Sequence, residues 1–162
     1  MSEAETASRE VIESTLSDNP AYRKLDDNLY IVKQGSTFVM INVVGLQDDR
    51  AQVRCSAQLV KGVTMTADLA IDLLELNAKL RFGGFAYEPK GELILFIHSI
   101  LGGVTLDPAE LIATVSDVAL LADEYDDKII EKYGGQTMKD LLEEAALKNI
   151  VADSDIDAFP KV

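Results

Sequence analysis

The chain has 162 residues, a hydrophobic content of 48% and a formal net charge of −13, with a pI near 4.4. This length and composition predict one soluble domain with a sizeable core. The acidic balance argues against nucleic acid and anionic membranes as partners, because both attract lysine and arginine. A single cysteine, Cys55, a polar N-terminus without a signal peptide and the lack of a long apolar run predict a cytoplasmic protein.

The first part of the chain predicts one helix followed by three strands. The helix runs from about Ala4 to Asp18, because Ser2 and Glu5 have the spacing of a capping box and Pro20 ends the pattern. The predicted strands are Leu29–Lys33, Thr37–Val44 and Ala51–Val60. The last of them alternates apolar and polar residues, which is typical of an antiparallel sheet with one solvated face. The short links between the strands predict a meander.

A central helix is predicted to begin at Ala67, with Thr66 as its cap, and the segment Arg81-Phe82-Gly83-Gly84-Phe85 is predicted to stop it. Its acidic residues share one narrow face, and its apolar arc covers roughly 200°. Such an arc is wider than one core contact requires, so we expect this helix to pack on its own sheet and on a second subunit. Asn77 projects from the apolar arc. It is either a polar contact at an interface or an amide that bonds nearby backbone.

The second part of the chain predicts two strands and two helices. The strands are Phe82–Glu88 and Glu92–Ile100, and the segment Leu93–Ile97 is apolar on both faces, as expected of a central or covered strand. A long amphipathic helix begins at Asp107-Pro108 and ends near Tyr133. A fourth helix is predicted from Thr137 to Asn149, followed by an acidic tail, Ala152–Val162. The predicted class is α+β, with the order α-βββ-α-ββ-α, an antiparallel sheet and an extra C-terminal helix.

The sequence contains none of the common catalytic, metal-binding or nucleotide-binding motifs that we sought. His98, the single histidine, lies inside a predicted strand, and no HExxH, CxxC, GxSxG, GxGxxG or GxxxxGK[ST] pattern occurs. Cys55 also lies in a strand, where cysteine packs as a small apolar residue. We therefore predict no catalytic residue, no metal site and no cofactor, and the protein is not predicted to be an enzyme.

One family resemblance is carried by two segments. The segment Leu73-Leu74-Glu75-Leu76-Asn77 leads into Leu80-Arg81-Phe82-Gly83-Gly84-Phe85, and Leu106-Asp107-Pro108-Ala109-Glu110-Leu111 opens the long helix. Together with the predicted element order, they resemble class I type III secretion chaperones and the related YbjN-like domains over roughly residues 6–133. The fourth helix and the acidic tail extend past that pattern. We accordingly divide the chain into a chaperone-like domain, residues 1–135, and a C-terminal helix and tail, residues 136–162.

The resemblance implies a homodimer without cofactor or catalysis that binds peptide segments of client proteins on apolar patches and strand edges. With the wide apolar arc, it places the dimer interface in the stretch 67–85. The predicted interface residues are Leu73, Leu76, Asn77, Leu80, Phe82 and Phe85.

Other interpretations stay open from the sequence. The same fold can serve a regulatory or scaffold protein with one folded partner. A small-molecule binder or an enzyme would need a pocket that combines Asn77, His98 and an acid. The C-terminal helix with its stripe of Met138, Leu141, Leu142, Ala145 and Ala146 is either a structural brace or a lid over the surface that clients use.

Overall fold

The computed structural model describes residues 1–35, 37–141 and 143–144. Three long helices and a seven-stranded antiparallel sheet make up this part of the chain. The helices are α1 (Glu3–Leu16), α2 (Ala67–Lys79) and α3 (Pro108–Tyr133). The strands are β1 (Tyr22–Asp26), β2 (Leu29–Gln34), β3 (Thr37–Leu46), β4 (Arg50–Lys61), β5 (Gly84–Glu88), β6 (Leu93–Leu101) and β7 (Gln136–Thr137).

The strand order is β1-β2-β3-β4-β6-β5, and β7 pairs with the end of β4. The predicted α+β class and its antiparallel sheet are confirmed. The predicted element order is also found, but β1 precedes the three strands that we expected. This edge strand shows no alternation, because four of its five residues are exposed. It pairs with β2 across a short turn, and periodicity does not report such a pairing.

One face of the sheet carries the hydrophobic core. Side chains alternate along each strand, so the buried residues of β3, β4 and β6 all lie on this inner face. Helices α1 and α3 pack against it and bury Ile12, Leu111, Val115 and Val118. Ser8 of α1 is fully buried, and its hydroxyl accepts a hydrogen bond from the Gly103 amide at 2.7 Å. That bond fixes α1 to the loop that follows β6.

The predicted helix caps are present. Ser2 and Glu5 form a reciprocal capping box on α1, the Thr66 hydroxyl accepts from the Leu69 amide, and the Asp107 carboxylate accepts from the Ala109 amide. These bonds satisfy amides at the starts of the helices that have no partner in the helix itself.

Strand β5 begins two residues later than predicted, at Gly84. Gly83 has a φ of 67°, and a Cβ atom there would lie 2.6 Å from the carbonyl oxygen of Ile97. Only glycine tolerates both the backbone conformation and this close approach. The chain therefore turns at Gly83, and Phe82 stays outside the strand.

The C-terminal part begins with a cap of its own. The Thr137 hydroxyl accepts from the Asp140 amide at 3.0 Å, and the Asp140 carboxylate accepts from the Thr137 amide at 3.1 Å. Residues 138–141 and 143–144 are helical, which agrees with the predicted start of the fourth helix. The rest of that prediction, up to Asn149, and the predicted acidic tail lie outside the described residues.

Candidate functional site

The sheet face opposite the core carries apolar side chains beside polar ones and no helix in the described part of the chain. We call it the open face. It presents a depression of about 350 Å³ that is lined by strand residues alone. Its half-buried apolar side chains come from β2, β3 and β6, and they are Leu29, Ile31, Phe38, Met40, Leu93, Leu95 and Ile97. An uncovered apolar surface of this kind marks a place where a protein binds something else.

A polar strip crosses the middle of the open face along β4. Arg54, Ser56 and Gln58 lie on this strand between the apolar residues of β3 and β6. Asn42 of β3 and Glu88 of β5 line the same depression. Together these side chains supply hydrogen-bond donors and acceptors among the apolar groups of the open face. A bound chain could therefore bury apolar groups and still find partners for its polar groups.

The sheet edge beyond β6 is partly closed by α2. Asn77 of this helix donates through Nδ2 to the Phe85 carbonyl at 3.2 Å, and its Oδ1 accepts from the Phe85 amide at 2.6 Å. The Asn77 side chain thus pairs with the outer edge of β5 as a neighbouring strand would. Of the two alternatives for Asn77, the bond to nearby backbone is the one observed. This cover protects an edge strand from pairing with another chain.

In the part of the chain that the structure describes, the second half of β6 has no strand on the side where β5 pairs with its first half. Strand β5 pairs with residues 93–97 of β6 and ends there. The Gly102 amide bonds the Ala51 carbonyl of β4, so by alternation the backbone groups of Ser99 and Leu101 point away from β4. In the described residues no strand pairs with this side of Ser99 and Leu101. It is an edge at which an extended peptide can add to the sheet.

The six predicted interface residues lie at different depths. Leu73 and Phe85 belong to the core of the single chain, and Phe85 packs edge-on against Phe96 and Tyr125. Leu76, Asn77 and Leu80 are half-buried. Phe82 is 59% exposed and stacks on His98, with ring centroids 5.6 Å apart. The structure therefore brings these residues together around α2 and the turn after it, but among the six only Phe82 is mostly exposed.

Helix α2 carries an exposed apolar stripe that sequence reasoning did not single out. Ile71 and Leu74 are 53% and 67% exposed, and Ala78 follows at helical spacing. The buried side of the same helix holds Leu69 and Leu73. The wide arc in the sequence contained this signal, but which part of it would remain exposed depended on where α3 packs.

Helices α2 and α3 are also joined by polar contacts across a groove. Asp72 accepts hydrogen bonds from the Lys132 ammonium at 2.6 Å and from the Tyr133 hydroxyl. These two bonds, the one from Lys132 first, hold the pKa of Asp72 below its usual value. Because Asp72 and Lys132 are both open to solvent, this contact orients the helices more than it stabilises them.

His98 lies where the inner face meets the turn after α2. It lines a depression with Phe82 and Asp117, and its Nδ1 atom is buried without a hydrogen-bond partner in the described residues. Asn77 does not line that depression, so the described residues do not combine Asn77, His98 and an acid there, as we expected of a small-molecule site. The described residues contain no group of three histidine, cysteine, aspartate or glutamate side chains that could hold a metal ion. None of the described helices is long and apolar enough to cross a membrane.

We expect Cys55 to be chemically inert in the folded protein. It is fully buried in β4, and burial raises the pKa of its thiol to about 12. The reactive thiolate is therefore almost absent at pH 8. Ellman's reagent should release no colour from the native protein and one equivalent after unfolding in guanidinium chloride. Rapid labelling of the native protein would contradict this placement.

The comparisons with known proteins point to one family. A family model described as T3SS (YopN, CesT) and YbjN peptide-binding chaperone 1 matches residues 5–141. No curated protein matches the sequence. A crystal structure of an uncharacterized protein from Methanothermobacter thermautotrophicus is similar, with a TM-score of 0.50 and 15% sequence identity over 77% of this chain and 97% of that one. At this identity the likeness supports the fold alone. The family match spans the sheet, all three long helices and the open face, and the chain therefore belongs to the T3SS (YopN, CesT) and YbjN peptide-binding chaperones.

Proposed function

We propose that this protein is a cytoplasmic, non-enzymatic chaperone that acts as a homodimer and binds extended apolar segments of client proteins on the open face. The observation that carries the proposal is an apolar sheet face without a covering layer in the described residues. Membership in a peptide-binding chaperone family supports the same role. The free edge of β6 supports an extended client rather than a folded one.

The binding energy would come from two sources. Apolar surface removed from water contributes about 25 cal/mol per Å². Backbone hydrogen bonds to Ser99 and Leu101 would hold one client strand in register, while the depressions of the open face accept alternate side chains. Hydrogen bonds to the client backbone do not depend on the client's side chains, so such a surface can bind clients of many different sequences.

For the dimer we propose a contact through α2 and the turn that follows it, the stretch that contains all six predicted interface residues. The exposed stripe of Ile71, Leu74 and Ala78, together with Phe82, would meet the second copy directly. Leu73 and Phe85 would support this surface from below. The arrangement leaves the open face free for a client.

We expect the wild type to sediment as a dimer at micromolar concentration and Leu74→Asp to sediment as a monomer. An aspartate at this position would be buried without a partner in the dimer, which is strongly unfavourable. Leu74 is exposed in the single chain, so the variant should keep its circular dichroism spectrum. Ile112→Asp, at an exposed isoleucine of α3, is the control and should stay dimeric. A monomeric wild type would disprove the proposed dimer.

We expect this chaperone-like protein to bind a fluorescent probe, a reduced and carboxymethylated protein that cannot fold. It should not bind the same probe protein in its native state. Ile97→Glu, at the centre of the open face, should weaken this binding by about tenfold, which is 1.4 kcal/mol. The control is Ile112→Glu, an exposed site on α3. Fluorescence anisotropy measures both variants. Equal affinities of the two variants would show that clients do not bind at the open face.

A regulatory or scaffold role with one folded partner predicts a different result. Affinity capture would then recover one folded protein in a fixed ratio, and unfolded probes would not compete for it. The half-buried residues at the centre of the open face favour an extended client over that alternative.

A further inference from the structure

The free edge of β6 is short and is blocked at one end. Among the described residues, Ser99 and Leu101 leave their backbone groups open to a client strand, whereas β5 takes up the edge from Ile97 onwards, where Gly84 pairs with it. The backbone of Gly83 also lies close to the Ile97 carbonyl oxygen. A client strand that pairs with Ser99 and Leu101 must therefore end, or leave the sheet, where β5 begins.

The direction of pairing decides which end of the client reaches this point. Every pair of neighbouring strands in the described sheet is antiparallel, and antiparallel pairing is slightly more stable per residue than parallel pairing. Strand β5 runs antiparallel to β6 and begins at Gly84, opposite Ile97. A client in line with β5 would therefore run from Leu101 past Ser99 toward Gly84, and its C-terminal end would arrive at the start of β5.

A depression of about 390 Å³ lies at this point, where the turn after α2, strand β6 and helix α3 meet. We call it the end pocket, and its lining includes Lys79, Arg81, Phe82, His98, Asp117 and Leu120. Phe82 and Leu120 are 59% and 65% exposed, so they offer uncovered apolar surface. A client residue opposite Ile100 would share the inner face with it and would point to the side on which the end pocket lies.

The charged groups of the end pocket suit a carboxylate. Lys79 and Arg81 line it against one acid, Asp117, although the whole chain has 15 basic and 28 acidic residues. Among the described residues, none of these three side chains has an ion-pair partner. Because the cations outnumber the acid, the negative C-terminus of a client is favoured here over the positive N-terminus of a client.

His98 offers a polar atom to the same ligand. Its Nδ1 atom is buried and has no hydrogen-bond partner within the described part of the chain, which is unfavourable. A carboxylate oxygen in the end pocket would supply that partner, with Nδ1 donating. The stacked ring of Phe82 contacts His98 with one side only, so its other side remains for the proposed dimer contact.

We infer that the end pocket binds the C-terminal carboxylate of a client whose last residues pair with Ser99 and Leu101. The inference rests on the proposed function, from which it takes the extended client, and it specifies the end of a chain rather than an internal segment. Backbone hydrogen bonds hold the client strand, while Arg81 and Lys79 bind the carboxylate. The apolar lining of the pocket then accepts a large apolar side chain next to that carboxylate.

Three fluorescently labelled peptides of equal length test the preference for a carboxylate at the C-terminus. Each alternates threonine and valine and ends in two leucines. The first has a free C-terminal carboxylate and the second a C-terminal amide, and the third has the amide and an N-terminal aspartate that restores the charge of the first. In fluorescence anisotropy the first should bind the full-length protein about tenfold more tightly than either of the others. A first peptide that binds no better than the third would overturn the inference, because the position of the charge would then not matter.

Arg81→Glu tests whether the carboxylate binds in the end pocket. Arg81 is exposed, so the variant should keep its circular dichroism spectrum. The glutamate repels the carboxylate, so the first and second peptides should bind this variant with affinities within about twofold of each other. The matched control is Arg23→Glu, at an exposed arginine of β1 on the opposite edge of the sheet, and it should keep the tenfold preference. A preference that survives Arg81→Glu would overturn the placement.

The unfolded probe protein separates this inference from the proposed function. If that probe binds and Ile97→Glu weakens its binding, while the carboxylate and amide peptides bind equally, the inference falls and the proposed function stands. If the carboxylate peptide binds in a way that requires Arg81 but the unfolded probe does not bind, the proposed function falls and the end pocket stands as a site for C-terminal peptides.

Discussion

Phe85→Ala should lower the free energy of unfolding by about 3–5 kcal/mol, as expected for a phenylalanine removed from a packed core. Phe85 is 7% exposed, and its ring packs edge-on against Phe96 and Tyr125 with centroid distances of 5.2 and 5.3 Å. It connects the sheet to α3 at the point where α2 also joins. Urea denaturation followed by circular dichroism should show a lower midpoint with an unchanged slope.

The matched control is Phe82→Ala, three residues earlier in the same stretch. Phe82 is mostly exposed in the single chain, so its truncation should cost less than about 1 kcal/mol at a low protein concentration. The low concentration matters because Phe82 lies in the proposed dimer contact, and dimerisation would add stability by mass action. Equal losses in the two variants would show that Phe85 is not a core residue.

Asn77→Leu should destabilise the protein by about 2–4 kcal/mol, because it leaves two half-buried backbone groups of Phe85 without their partner. Leucine is close to asparagine in size, so the loss reports hydrogen bonding more than packing. The variant also uncovers the edge of β5. We therefore expect it to aggregate during refolding at concentrations where the wild type stays clear, since open strand edges pair with one another.

Asn77→Asp gives a sharper test of the same two bonds. The carboxylate keeps an acceptor for the Phe85 amide but places a second oxygen against the Phe85 carbonyl. Protonation of the aspartate restores a donor, so the folded state would raise the pKa of this carboxyl. The stability deficit relative to the wild type should then shrink as the pH falls through that pKa. Asn42→Asp, at an exposed asparagine of β3, controls for the introduced carboxyl group. A deficit that does not change with pH would contradict the role of the Asn77 amide as a donor.

Local sequence signals determined the helices of this protein and the class of its fold. The capping residues Ser2, Thr66 and Asp107 mark helix starts because their side chains bond amides two or three residues away, and such contacts need no tertiary structure. The alternation along Ala51–Val60 likewise predicted a strand with one buried and one polar face, since the two sides of a strand are set by its geometry. The family resemblance carried by the segments around Asn77 and Asp107 was confirmed by the family match over residues 5–141.

Other features were decided by tertiary structure, because they depend on how one helix or strand pairs with or packs on another. Strand β1 exists through its pairing with β2, and its own residues are mostly charged and exposed. The sequence predicted a central or covered strand at Leu93–Ile97, and β6 is central, between β4 and β5. Its residues Leu93, Leu95 and Ile97 nevertheless face an open side, because α1, α3 and the core all lie on the other. The sequence likewise did not show which group the Asn77 side chain bonds, because that depends on the position of α2 beside β5. Periodicity tells which side chains share a face of an element, whereas only the packing of one element on another decides which of those faces remains free to bind.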